Sequence, residues 1–377
     1  GNKRLHLSNK MKIEVIDLRK RFQEEKNELM KSIERVLTKG NLVLTKEVES
    51  FEKKICKFIG VKYCLGLNSG TDALMMSLWA AGISKGDEVI TSPISFIASA
   101  SSIIHVGAKP VFVDVKEDLN INPDLIEKAI TKKTKAIMPV HWTGRICDMD
   151  KIIKIAKKHN LIIIEDAAQA MGSYYKKKHA GTFGSLSAFS THPLKNLNAL
   201  GDGGFVITNN KKYYEKIKLY RNHGLKSRDN VEIAGVNSRL DSLQAEVLSF
   251  RLKRLKSIIS RRINNVNLYK KLITSKQVRI IQTKKNFVDA HVMFITLCYK
   301  RDNLQKYLSK NNIQSLVYYK TPLHLHKALK FLGYKKGSFP VAEKLTKMVL
   351  SFPHHQHLTK NEINTVANKI NSFFKKK

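Results

Sequence analysis

Three short segments carry residue types whose spacing could do chemistry. The first is Phe189-Ser190-Thr191-His192-Pro193-Leu194-Lys195-Asn196, followed by Gly201-Asp202-Gly203-Gly204. A lysine in a short loop between two apolar runs is poorly placed to be a solvated surface charge. Partly desolvated beside other cations, Lys195 would lose its proton more easily and become an amine nucleophile able to form and exchange a Schiff base. Ser190, five residues earlier, could offer a hydroxyl to a phosphate. The second segment, Leu161-Ile162-Ile163-Ile164-Glu165-Asp166-Ala167-Ala168-Gln169, puts an acid just past a buried run. A buried carboxylate is costly unless a cation meets it. A protonated pyridine nitrogen is such a cation, and Asp166 would then keep the ring an electron sink. The third, Asn68-Ser69-Gly70-Thr71-Asp72-Ala73-Leu74, opens an apolar helix directly after a strand, so its free N–H groups and Gly70 form a cup for an anion. Each segment also has a plain structural reading. Ser69 or Thr71 caps a helix, Asp166 caps the helix that follows it, and Lys195 is one lysine among many.

The elements that must position these residues follow from periodicity. Seven short β-branched runs, at 63–67, 89–91, 111–115, 136–140, 161–165, 187–190 and 205–208, alternate with helical patterns. Near-continuous apolar strands separated by helices predict an α/β fold with a mostly parallel, seven-stranded sheet between helices. Ligands in such sheets sit beyond the carboxyl ends of the strands. A single long helical pattern from 240 to about 271 is expected to bridge a large domain, 11–250, to a smaller α+β domain, 251–377. In the smaller domain the pattern predicts short strands near 290–299 and helices over 302–311, 341–349 and 360–374. The helix predicted at 22–37 could pack on either domain.

Taken together and in this order, the segments resemble the DegT/DnrJ/EryC1/StrS sugar aminotransferases, a branch of the fold type I pyridoxal-phosphate enzymes. The likeness extends to Gly86-Asp87-Glu88, Ser95-Phe96-Ile97-Ala98-Ser99, Pro139-Val140-His141, Arg221-Asn222-His223-Gly224 and Gly235-Val236-Asn237-Ser238-Arg239, with weaker matches at Tyr319 and His324. The resemblance implies pyridoxal phosphate as cofactor. Lys195 would carry its Schiff base and shuttle the proton, Asp166 would pair with the pyridine nitrogen, and Gln169 would lie near the phenolic oxygen. Phe96 would stack on the ring, while Gly70, Thr71 and Ser190 would hold the phosphate. Asn237 would reach that phosphate from the neighbouring subunit, which implies a homodimer with shared active sites. Tyr319 and His324 are candidate substrate residues. His192 would either face the substrate or buttress the loop. The implied reaction moves an amino group, from glutamate, to a keto-sugar on a nucleotide, in amino-sugar biosynthesis for surface polysaccharide or glycoconjugate. Two positions depart from the family's habit: Asp202 stands where Glu is common, and Thr45 where Gly is common.

The 377-residue chain is 42% hydrophobic, enough for a full core, and carries a formal charge of +37 from 68 Lys and Arg against 31 Asp and Glu. The lysines are spread along the whole chain, so they read first as a solvated surface and second as a positive field, which would draw a diphosphate as readily as DNA. No specific nucleic acid and no membrane span is expected, because no apolar run approaches the roughly 18 residues a span needs. Cys56, Cys64, Cys147 and Cys298 form no close pair, which suits a reducing compartment, and a cytoplasmic protein is expected. Gly1 and Met11 point to a leader over 1–10. Three rival readings remain. A sugar dehydratase on the same cofactor would carry histidine in place of Lys195, a non-catalytic regulatory or nucleic-acid-binding scaffold would follow from the charge, and His354, His355 and His357 could be read as a metal cluster. Three histidines within four residues do not readily point at one ion, and no metal is expected.

Overall fold

The structure, a computed structural model, describes residues 12–375, so the leader proposed over 1–10 lies outside the described residues. Its frame is a seven-stranded sheet of β1 (Tyr63–Leu67), β2 (Glu88–Thr91), β3 (Lys109–Phe112), β4 (Thr134–Ile137), β5 (Ile162–Asp166), β6 (Leu186–Ser190) and β7 (Gly204–Thr208). The spatial order is β1-β7-β6-β5-β4-β2-β3. Only β7 runs against the rest, pairing antiparallel with β1 and β6. The other four pairings are parallel.

Successive residues of each strand feed opposite faces, so each face has its own apolar core. On one side Ile137, Ile163, Phe189 and Phe205 pack with Phe51 and Ile55 of α2 (Lys46–Ile59), Ile152 of α5 (Met149–Lys158) and Leu248 of α7 (Ser242–Leu252). On the other, Ala136, Ile164, Ala188 and Val206 pack with Leu74 of α3 (Gly70–Ala80), Ile103 of α4 (Ala98–His105) and Ile217 of α6 (Lys211–Tyr220). The apolar runs near 111–115 and 136–140 outlast their ladders. Val113, Val115, Met138 and Val140 stay buried after β3 and β4 end and carry the chain over the carboxyl edge of the sheet.

The helical pattern at 240–271 is two helices rather than one. A turn at Lys253-Arg254 separates α7 from α8 (Leu255–Leu272). Leu255 and Ile259 of α8 belong to the sheet core, whereas Val266 and Tyr269 belong to a C-terminal core. That second core covers an antiparallel sheet of β8 (Val278–Ile280), β9 (Ile295–Cys298) and β10 (Val349–Ser351), with α9 (Arg301–Lys310) and α11 (Lys360–Lys375), while Ala342 and Leu345 of α10 (Pro340–Thr346) pack with Leu297 and Val349 in a third cluster. The helix expected over 341–349 stops at Thr346 because Val349 is already extended against Leu297.

The N-terminal helix α1 (Leu18–Lys39) touches both halves. It packs on α7, and Lys20 and Glu24 reach Glu362 and Arg261 of the C-terminal half.

Candidate active site

The parallel strands end on a common edge, and a cavity of about 410 Å³ lies there. Its wall takes Ser69, Gly70 and Thr71 from the end of β1, Ser95, Phe96 and Ser99 from beyond β2, and Val140, His141 and Trp142 from beyond β4. Asp166 comes from β5 and Gln169 from just beyond it, and Ser190, His192 and Lys195 from β6 and its following loop. Val292, Met293, Tyr318 and Tyr319 close it from the C-terminal half, and Ile16 from the segment before α1.

One end of the cavity suits an anion. Ser69 caps α3 by accepting the Asp72 N–H at 3.0 Å, which leaves the positive end of an 11-residue helix facing the cavity at Gly70 and Thr71. Glycine is required at position 70 by close approach, since a Cβ there would lie 2.7 Å from the Ser190 Cβ and 3.1 Å from its Cα. Ser190 therefore sits directly against the helix start.

The other end holds two opposed ionisable groups. The Asp166 carboxylate accepts from the Ser99 hydroxyl at 2.6 Å and from the Ala168 N–H at 3.2 Å. Burial pushes its pKa above the usual value despite those bonds and the nearby Lys195. The Ser99 hydroxyl is 2.6 Å from that of Ser95, so a two-serine chain orients the acid. Lys195 is partly buried, and burial lowers its pKa from 10.5 to about 8 even though Asp166 pulls the other way. Asp166 and Lys195 thus approach neutrality from opposite sides, as desolvation dictates for both signs of charge.

The Gln169 side-chain oxygen is held by the Thr143 N–H at 2.7 Å. Phe96 stands 52% exposed at the mouth, 6.2 Å from the Tyr319 ring. His192 lines the cavity, and its Nδ1 accepts the Leu194 N–H at 3.2 Å, so it also braces the loop. Burial and the charge of Lys195 lower its pKa.

Two of the candidate residues, one of them expected to act on a neighbouring subunit, are not in this chain's own cavity wall. Asn237 is exposed and outside the cavity wall of its own chain. His324 is turned away from the cavity: it is buried, with Nε2 2.9 Å from the Glu343 carboxylate and its ring edge-on to Phe339. The histidines after Phe352 diverge as well. His354 bonds the His291 carbonyl at 2.8 Å, the His355 Nδ1 accepts the His357 N–H at 3.2 Å, and His357 pairs with Glu24 at 2.8 Å. Among the described residues no group of three or more His, Cys, Asp or Glu gathers for a metal, and no helix is long and apolar enough to cross a membrane.

Several wall residues had no role assigned from sequence. Ser95 and Ser99 are separated by four residues across a helix start, a spacing that brings two hydroxyls together. His141 is fully buried, accepts the Cys147 N–H at Nδ1 at 3.1 Å, and so presents Nε2–H to Glu165 at 2.8 Å. Trp142 packs 5.6 Å from Tyr319, and no local pattern singles it out.

The profile of the DegT/DnrJ/EryC1/StrS aminotransferase family matches residues 23–371. A "pleiotropic regulatory protein" of Geobacillus stearothermophilus is 39% identical over 97% of this chain and 99% of its own length. The dTDP-3-amino-3,4,6-trideoxy-alpha-D-glucose transaminase of Streptomyces venezuelae is 37% identical, covering 92% of each. Among solved structures, S. venezuelae DesV in complex with a ketimine intermediate superimposes with a TM-score of 0.94 at 35% identity, over 97% of this chain and 99% of that one. The PLP form of the putative sugar aminotransferase Spr1654 from Streptococcus pneumoniae gives 0.88 at 26% identity, over 92% and 96%. The chain belongs to the DegT/DnrJ/EryC1/StrS aminotransferase family.

Proposed function

We propose that the cavity holds pyridoxal phosphate and that the protein transfers an amino group from glutamate to a keto-sugar carried on a nucleotide. The observation that carries this reading is the pairing of a desolvated Lys195 with a desolvated Asp166 in one cavity, opposite an anion cradle at the start of α3. The activity of the S. venezuelae transaminase supports the nucleotide-sugar part.

The residues fit that cofactor at three points. Gly70, Thr71 and Ser190 offer a helix terminus and hydroxyls to its phosphate. Asp166 offers a buried carboxylate, already oriented by Ser99, to its ring nitrogen. Phe96 and Gln169 flank the space between. Bound there, pyridoxal phosphate would supply an aldehyde that exchanges amines and a ring that takes up electrons.

The chain's own groups do the rest. With a pKa near 8, about a tenth of Lys195 is uncharged at neutral pH, against well under a thousandth for an ordinary lysine. Its Nζ can therefore act as a nucleophile, and later give and take a proton, without leaving the cavity. Asp166 holds its charge opposite a developing cation at little reorganisation cost, because Ser99 fixes its orientation before substrate arrives. Trp142, Tyr319 and Met293 add apolar surface to the cavity wall that Lys195 shares. A second copy of the chain would present Asn237, which is exposed and free to reach a neighbouring cavity. Lys195 also favours transfer over dehydration, since dehydratase relatives carry histidine at that place.

The test is the near-ultraviolet and visible absorbance of the purified protein with pyridoxal phosphate, before and after L-glutamate, beside Lys195→Ala. A lysine-linked band that bleaches with glutamate and is missing in the variant is expected. A protein that stays colourless after incubation with the cofactor would overturn the proposal. It would also move forward the second reading, a regulatory scaffold, to which the +37 charge and the name of the G. stearothermophilus relative lend weight.

A further inference from the structure

Lys195 stands in a loop with no ladder of its own. Between β6 and β7 the chain makes few internal backbone bonds, chiefly Lys195 N–H to His192 O at 2.8 Å and Ala199 N–H to Thr191 O at 2.7 Å. Buried carbonyls that no strand or helix satisfies need other donors. Here they come from far along the chain. Arg251 of α7 donates through one terminal nitrogen to Asn198 O at 2.8 Å, to the Asn198 side-chain oxygen at 3.2 Å and to Ala199 O at 3.3 Å. Arg21 of α1 reaches Asn196 O at 3.5 Å. Asn198 in turn holds Pro193 O at 2.5 Å, and Asn196 holds Ala290 O at 2.9 Å.

The two arginines are held by one acid. Glu25 accepts from Arg21 Nε at 3.0 Å with one carboxylate oxygen, and from Arg251 Nε at 3.0 Å with the other. Glu25, Arg21 and Arg251 are 3%, 4% and 5% exposed, so this is a fully desolvated Arg–Glu–Arg triad. Such a triad is a poor route to stability, because packed apolar residues of the same volume serve as well or better. What it supplies is a fixed direction for each guanidinium, and both point at the lysine loop.

We infer that Glu25, by bridging Arg21 and Arg251, is a positioning residue for Lys195: the triad sets the path of residues 193–199 and with it the place of the reactive amine. The inference rests on Lys195 being that amine. It makes α1, which contributes no side chain to the cavity wall, part of the amino-transfer machinery.

The experiment uses Arg251→Lys, which keeps the charge but cannot span Glu25 and two carbonyls, and Glu25→Gln, which keeps the shape but loses the charge. Arg301→Lys serves as control, because Arg301 is a buried arginine that donates to Thr346 O and Val349 O in the C-terminal core, away from the loop. In the holoenzyme, the single-turnover rate with L-glutamate should fall about tenfold to a hundredfold in the two triad variants, the size expected of a reacting group displaced by an ångström or less. The glutamate half-saturation should stay at the wild-type value. Hydrogen exchange of amides 194–199 should accelerate in both. In cofactor-free protein, pulse acetylation of Lys195 read by mass spectrometry should change in both, while Arg301→Lys leaves the rate, the exchange and the labelling as in wild type. If Arg251→Lys does not fold, the gentler Glu25→Gln carries the test alone. Folded triad variants with wild-type rate, exchange and labelling would overturn the positioning role. A wild-type protein that never links Lys195 to pyridoxal phosphate would instead sink the functional reading beneath it.

Discussion

Replacing Lys195 by methionine should stabilise the cofactor-free protein at neutral pH. Burial drops the lysine from 10.5 to about 8, and at about 1.36 kcal/mol per pH unit the charged form is disfavoured by about 3 kcal/mol relative to the unfolded chain. Methionine fills nearly the same volume without a charge to desolvate. Part of the gain is returned, because Asp166 loses a nearby cation that draws its pKa down. The expected net gain is about 1–3 kcal/mol. The pH dependence fixes the sign. Between about 8 and 10.5 the unfolded chain binds more protons at this site than the folded one, so this site's contribution to wild-type stability rises with pH across that window. Below about 8 the cost is present in full, and near 10.5 it is gone. Urea unfolding of both cofactor-free proteins, at equal concentration, should therefore show the variant ahead at neutral pH and the gap closing in alkali. A variant less stable than wild type at neutral pH, or a gap indifferent to pH, would refute the claim that Lys195 is held at a desolvation cost.

Three further outcomes follow from the site. Gly70→Ala puts a methyl group against Ser190, and overpacking of about 1–3 kcal/mol should weaken pyridoxal phosphate binding roughly tenfold to a hundredfold, read by fluorescence titration. Ser99→Ala removes a donor to the Asp166 carboxylate, which raises its pKa further. A carboxylate with a higher pKa is protonated at higher pH, so the acid limb of the rate profile should move up, by no more than the about 1.5–3 kcal/mol of a charge-assisted hydrogen bond. Glu165→Ala strands His141 and the Gly181, Phe183 and Gly184 N–H groups without their acceptor, and should cost about 3–5 kcal/mol in unfolding experiments.

What the sequence disclosed and what it hid divide along the distance between partners. Strand runs such as Ile162-Ile163-Ile164 announce themselves because burial on both faces leaves no polar position. The three chemical segments were legible for the same reason: each is a strand end followed at once by its polar residues. The turn at Lys253-Arg254 was hidden, since both flanking helices keep the apolar period and the interruption carries neither Gly nor Pro. His324 is a substrate candidate through the family resemblance alone, and its partner Glu343, 19 positions on, meets it only in the folded chain. Arg251 and Glu25, 226 positions apart, meet only in the folded chain, and among so many cations neither stands out.

The adjacent acids Glu165 and Asp166 show how one strand divides structure from chemistry. Neighbouring residues on β5 point to opposite faces of the sheet. Both are buried, and burial raises the pKa of either. On one face Glu165 meets His141 at 2.8 Å, the N–H groups of Gly181, Phe183 and Gly184 at 2.7–2.8 Å, and the Ser187 hydroxyl at 3.2 Å. Those bonds outweigh desolvation, and its pKa falls below the usual value. On the other face Asp166 has one hydroxyl and one N–H, too few to offset burial, and its pKa rises. Glu165 has spent its lone pairs on the fold, while Asp166 keeps lone pairs and an unmet demand for positive charge directed at the cavity. A buried acid left short of donors is unfavourable for the empty protein, and that shortfall is free energy a cationic ring nitrogen would recover on binding. The same reasoning separates the two histidines of the cavity wall. His141 is committed at both nitrogens, whereas His192 uses only Nδ1 and keeps Nε2 for whatever enters the cavity.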